Sequence, residues 1–192
     1  MRQLYLLRHG HSEANEKGLV TGVKDDALSL EGQEQARASA HLLRHCLPDN
    51  PLPVCFVSDW ARAQETAALA WPQGSFITDL RLGETDAGTA ATLTAGEFAA
   101  MAPDFWALFD PDRSYPEGES HKDLYDRVLA WLKEQEKALP PQATVLAVTH
   151  AGPIACLLHA VCKVSLAHFP MFFAAAASLT KLEKDKNNVW RL

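Results

Sequence analysis

The chain has 192 residues, 47% hydrophobic and 22% charged, with 18 Lys and Arg against 24 Asp and Glu for a net charge of −6. That length suits one domain with its own core. An acidic chain without a basic run argues against nucleic acid and against a membrane surface as partners. It still permits a small anionic ligand, because a few arginines can build a positive pocket inside an acidic whole. Cys46, Cys55, Cys156 and Cys162 show neither a C-x-x-C pair nor zinc-ligand spacing, and read as reduced core thiols. The apolar start ends at Arg8, short of a signal-peptide core, and no apolar run could span a bilayer. A cytoplasmic location is expected.

In chain order, Leu4 to Leu7 is a short apolar run that reads as a buried strand. Ser29 can cap a helix to about Leu47, with Glu31 well placed in its first turn. Val54 to Val57 reads as a second strand, and Trp60 to Trp71 as a helix stopped by Pro72. Ser75 to Thr78 is a weaker strand. Leu80 to Leu93, rich in Gly, Thr and Ala, reads as a loop near a site or as part of a small cap. Thr94 and Glu97 have capping-box spacing. Ser120 caps a longer helix to about Leu139, which Pro140 and Pro141 end. Thr144 to Val148 is a β-branched strand, and Pro153 fits the first residue of a helix to Val161. Phe169 to Ala177 reads as core and strand, followed by weak strands at Ser178 to Leu182 and Val189 to Leu192. Strands alternating with helices predict an α/β fold with a largely parallel sheet.

In such a sheet, ligands bind beyond the carboxyl ends of the strands. Three predicted strand ends carry Arg8-His9-Gly10, then Ser58 with Arg62 one helical turn on, then Thr149-His150-Ala151-Gly152. Two arginines and two histidines converging on one point would make a pocket for a phosphate dianion, since guanidinium forks match phosphate oxygens. A helix starting near Pro153 could add its N-terminal field. One imidazole could attack phosphorus, kept neutral by neighbouring positive charge. Gly10 would let backbone approach closely. A leaving alkoxide needs a proton, and Glu84 is the best-placed acid, with Asp86 nearby. His41 and His45 have i,i+4 spacing but lack a third ligand, and read as a solvated face. No metal or other cofactor is called for.

The blocks Leu6-Leu7-Arg8-His9-Gly10-His11-Ser12-Glu13-Ala14-Asn15, Thr21-Gly22 through Leu28-Ser29 with Gly32 and Gln35-Ala36, and Ser58-Asp59-Trp60-Ala61-Arg62-Ala63-Gln64-Glu65-Thr66-Ala67 come in a telling order. Leu82-Gly83-Glu84 with Gly88, Pro116-Glu117-Gly118-Glu119-Ser120 with Tyr125-Asp126-Arg127-Val128, and Thr149-His150-Ala151-Gly152 complete the set. Together they resemble the histidine phosphatase superfamily, in its phosphoglycerate mutase-like branch, over nearly the whole chain. The layout is most similar to α-ribazole phosphatase-like phosphatases.

The resemblance implies a three-layer α/β/α sandwich with a mostly parallel mixed sheet. It implies a single domain over 1–192 with a cap-like insertion at about 80–118. It makes His9 the phosphorylated nucleophile. Arg8, Arg62 and His150 would hold phosphate with help from Asn15. Glu84 would be the acid and then the base, and Thr21 and Gly22 would line the substrate side, with Ser12 a lesser candidate. Ala90 and Ala91 stand where relatives often have an aromatic and an acid, and His11 stands where Glu, Gln or Thr is usual. These departures bear on substrate preference. The implied reaction is hydrolysis of a small phosphorylated metabolite, α-ribazole 5′-phosphate or a sugar or nucleotide phosphate, without a metal. Rivals are a phosphoglycerate mutase, disfavoured because the Glu84 to Leu93 region offers no evident carboxylate site, and a non-catalytic phospholigand-binding domain. A homodimer is compatible with the sequence.

Overall fold

The computed structural model describes residues 1–47 and 52–192. Its six-stranded sheet comprises β1 (Gln3–Arg8), β2 (Val54–Val57), β3 (Phe76–Thr78), β4 (Thr144–Thr149), β5 (Leu179–Lys184) and β6 (Trp190–Arg191), in the order β3-β2-β4-β1-β5-β6. The first four strands in that order run parallel, while β5 and β6 add antiparallel. Every residue of β4, the Thr-Val-Leu-Ala-Val-Thr strand, is buried, as a central parallel strand between two helical layers must be.

Side-chain alternation divides the core in two. Leu4, Leu6, Phe56, Val145 and Ala147 face one layer, packing on Leu124, Val128 and Trp131 of α6 (His121–Ala138) and on Ile154 and Leu157 of α7 (Ala151–Cys162). Tyr5, Leu7, Cys55, Val57, Leu146 and Val148 face the other. They pack on Leu43 of α2 (Leu30–Cys46) and on Ala63, Ala67 and Ala70 of α3 (Ala61–Ala70). This is the three-layer α/β/α arrangement expected.

Between β3 and α6 the chain forms 3₁₀ turns at Leu80–Leu82 and Gly88–Ala90, then two short helices, α4 (Ala95–Met101) and α5 (Asp104–Ala107). Thr94 and Glu97 make the expected capping box. Phe98, Phe105 and Tyr115 form a separate small core there with Ala87, Ala90 and Ala91, and Trp106 stacks edge-on against Phe98. Phe109 instead leans on His121. A further short helix, α1 (Glu13–Glu16), follows β1 directly.

Three expectations need correction. Phe169 to Ala177 is core at Phe169 but not strand. Pro170 lacks a backbone donor, Ala177 turns through φ +55°, and the Ala174 carbonyl accepts from Arg8 Nη1 at 2.6 Å instead of joining a ladder. Pro153 is the third residue of α7 rather than the first, a position where the amide lacks an intrahelical acceptor and proline costs nothing. Cys55 and Cys156 are buried and Cys46 half-buried, but Cys162 is exposed where α7 ends.

Candidate active site

The carboxyl ends of β1, β4 and β2 lie side by side, with Arg8 opposite Thr149 and Val57 opposite Val148. The ladder continues one residue past each end. His9 donates its amide to the Thr149 carbonyl at 2.9 Å, and Ser58 to that of Val148 at 3.0 Å. His9, Ser58 and His150 therefore leave the sheet at adjacent points. Their ring centroids put His9 and His150 5.0 Å apart, edge to face. Arg62, from the first turn of α3, reaches the same spot and is 2% exposed.

The bonding around His9 assigns its tautomer. Nδ1 lies 2.6 Å from the Gly10 carbonyl, which can only accept, so Nδ1 carries the proton. Nε2 is then a lone pair, and it accepts from Arg62 Nε at 3.2 Å. The His9 pKa is held well below its ordinary value, first by burial and then by the Arg62 charge, with Arg8 and His11 adding to it. Positive neighbours were the expected cause, yet desolvation is the larger one. His150 is held down for the same reasons, burial first and then His9 and Arg62. Burial also pushes Arg62 down to about 10, opposed by Glu84, which leaves it charged at neutral pH.

Arg62 is fixed on its other side by the carbonyls of Val23 and Thr21, at 3.1 and 3.0 Å, and lies 4.4 Å over the Trp60 ring. His150 Nε2 meets Ser58 Oγ at 2.8 Å. His150 Nδ1 and Arg8 Nε are both buried without a hydrogen-bond partner among the described residues. Buried polar atoms are seldom left so, and in a basic pocket such atoms suit an anion's oxygens.

Glu84 follows the first 3₁₀ turn, beyond the end of β3. Its carboxylate receives the Gly152 amide at 3.2 and 3.3 Å and the Thr85 amide at 2.9 Å. The N-terminal field of α7 thus reaches Glu84. Asp86 is exposed and bonds the Gly88 amide. Gly10 is needed for a backbone approach, but toward α2: a Cβ there would lie 2.3 Å from the Gly32 carbonyl oxygen.

The remaining predicted residues are placed as follows. Thr21 faces Arg62 through its carbonyl, while its hydroxyl bonds the Gly22 carbonyl. Gly22, at φ +72°, lines the adjoining cleft. Asn15 Oδ1 accepts from the Ser12 amide and hydroxyl in the α1 capping box, so only its NH₂ end could face an anion. Ser12 is buried in that cap. His41 and His45 are exposed on α2, and among the described residues no group of three or more His, Cys, Asp or Glu is arranged to hold a metal.

One site feature went unread in the sequence. Arg127, on α6, uses all five of its N–H groups. It forms a fork onto Glu119 at 3.0 and 2.6 Å, and it donates to the carbonyls of Arg81, Gly83 and Glu84 at 2.8, 3.0 and 2.8 Å. It clamps the turn that carries Glu84. Glu119 and Arg127 both stand in the blocks quoted above, which was the available signal.

The description of the histidine phosphatase superfamily, branch 1, matches residues 4–192. The chain belongs to that superfamily. The chain is 36% identical to a 6-phosphofructo-2-kinase/fructose-2,6-bisphosphatase of Gallus gallus over 161 residues, 82% of this chain. The chain spans 32% of the length of that curated relative. A solved mycobacterial glucosyl-3-phosphoglycerate phosphatase with VO3 superposes with a TM-score of 0.85 at 30% identity, covering 100% of this chain and 97% of that one. A putative alpha-ribazole-5'-P phosphatase from Escherichia coli shares the fold, with a TM-score of 0.84 at 22% identity over 99% and 93% of the two chains. Membership agrees with the expected enzyme class, a phosphoric monoester hydrolase of the histidine phosphatase type. Among the described residues no helix is long and apolar enough to cross a membrane.

Proposed function

We propose that the chain is a phosphomonoesterase that works through a phosphohistidine on His9, in a single domain whose segment 80–118 caps the site. The observation that carries this reading is the pairing of a deprotonated His9 Nε2 with Arg62 Nε at 3.2 Å, beside His150. Nε2 attacks phosphorus, the bond to the leaving oxygen breaks, and Glu84 gives that oxygen a proton. In the second half, Glu84 takes a proton from water, the water oxygen attacks phosphorus, and the P–N bond breaks to release phosphate. Arg8, Arg62 and His150 hold the equatorial oxygens in both transfers. Glu84 suits the acid role better than Asp86, because its carboxylate is aimed by the Gly152 and Thr85 amides while the exposed Asp86 carboxylate is turned to the Gly88 amide.

The substrate in this reading is a small phosphorylated metabolite in the cytoplasm, with α-ribazole 5′-phosphate and sugar phosphates the first to assay. Turnover of p-nitrophenyl phosphate in EDTA is the test. Activity there that vanishes in His9→Ala supports the reading, whereas tight phosphate binding without turnover would make the protein a binding domain. Return of phosphate to a second hydroxyl of 3-phosphoglycerate, in place of its release, would make it a mutase.

A further inference from the structure

Beside the proposed phosphate pocket lies a cleft of about 330 Å³ that would receive whatever the phosphate is attached to. Glu84 stands on its wall with Gly22, Trp60 and Ala91. Four carboxylates line it, those of Asp59, Glu84, Asp86 and Glu119, against two cations, Lys24 and Arg127.

Each cation is paired with a carboxylate of the same lining. Every N–H of Arg127 is taken up by Glu119 and three carbonyls. Lys24 Nζ lies 2.7 Å from Asp59 Oδ2. That pair is lopsided, with the lysine side chain 62% exposed and the aspartate 15%. Drawing Lys24 away to meet a ligand would strand a largely buried carboxylate whose other oxygen, Oδ1, already lacks a partner among the described residues. Ala91, buried in the small core, adds no polar group where the cleft meets that core.

We infer that this cleft selects phosphate esters of neutral alcohols and rejects leaving groups that carry a carboxylate or a second phosphate. The inference rests on the proposed active site. An anionic group meets a lining in which the carboxylates of Glu84 and Asp86 have no cation partner among the described residues and both cations are already paired, whereas a neutral alcohol meets no such repulsion. Anionic substrates therefore keep their attraction to Arg8 and Arg62 through the phosphate but lose it again through the rest of the molecule.

Glycerol 3-phosphate and 3-phosphoglycerate test this directly, because they differ by a hydroxymethyl in place of a carboxylate. The wild-type protein should hydrolyse the first with kcat/KM about tenfold or more above the second. Asp59→Asn removes one charge and releases the Lys24 ammonium, so the ratio should narrow. Lys24→Ala leaves Asp59 uncompensated, so the ratio should widen. Opposite shifts from two neighbouring substitutions cannot come from general loosening of the cleft. Turnover of p-nitrophenyl phosphate with 3-phosphoglycerate preferred or equal, or with both variants moving the ratio the same way, would overturn the inference and leave the phosphatase reading standing. A folded protein that turns over none of the three esters would overturn that reading, and the inference with it.

Discussion

The amide of Gly152 donates to both carboxylate oxygens of Glu84, and a Cβ on Gly152 would lie 2.2 Å from Oε1. The next atom it would meet is the Leu124 Cδ2, at 3.0 Å. Both are ends of flexible side chains, so Gly152→Ala should fold, and alanine is the better helix former. What must move is the carboxylate. The variant should lose about tenfold or more in kcat on an alkyl phosphate and less on p-nitrophenyl phosphate, whose leaving group needs little proton assistance. Paired kcat measurements with a melting curve check this. Equal losses on the two esters would mean that Glu84 is not the proton donor.

Glu84→Gln keeps the shape and removes the proton. It should slow alkyl phosphates by about 10²–10⁴-fold and aryl phosphates much less. On esters of uncharged alcohols Asp86→Asn should leave both rates within about twofold, since its exposed carboxylate bonds the Gly88 turn and gives no proton. A larger effect from Asp86 than from Glu84 in stopped-flow or steady-state assays would exchange their roles.

Arg127→Lys tests the clamp. A lysine keeps the charge but not the planar fork that holds Glu119 and three carbonyls together. The turn bearing Glu84 should loosen, and kcat should fall more for alkyl than for aryl esters while inhibition by inorganic phosphate stays near wild type. A stability loss of about 1–3 kcal/mol from unpaired buried groups should accompany it. If stability falls but the alkyl-to-aryl ratio does not move, Arg127 is structural only.

Stability should fall with acid from a higher pH than carboxylates alone would give. His121 is buried among Phe109, Tyr115 and Phe169, and burial pushes its pKa down to about 4. His9 and His150 are lowered as well. Below the ordinary histidine pKa of 6.5 the unfolded chain binds these protons and the folded one does not. Their contribution is therefore complete above that pH and is lost as pH falls toward the folded values. For His121 the span corresponds to roughly 3 kcal/mol. Urea unfolding between pH 7 and 4.5 should show this slope, reduced in His121→Phe. An unchanged slope in that variant would assign the effect to other groups.

Much of this was legible in the sequence because each strand at the site is short, apolar and punctuated. Val54 to Val57 falls where expected, β1 extends one residue further at each end and β4 one residue further at its C-terminal end, so that Arg8 and Thr149 are still strand. Histidines just beyond two strand ends are a local signal. The clamp was not legible in the same way. Arg127 acts on a turn 43 to 46 residues distant through carbonyls, which carry no side-chain identity to read. That the α7 N-terminus holds Glu84 was not legible, because only tertiary packing brings that loop beside Gly152. For Asn15, spacing could not show that Oδ1 would be taken up by Ser12 in the α1 cap.

The account stands on a covalent bond between phosphorus and His9 Nε2. Rapid acid or base quenching during turnover of a radiolabelled phosphate ester, followed by peptide mapping, tests it most directly. The prediction is an acid-labile, base-stable label on the peptide containing His9, formed within one turnover and absent from His9→Ala. Full turnover with no protein-bound label at any quench time, or a label that persists in His9→Ala, would contradict it.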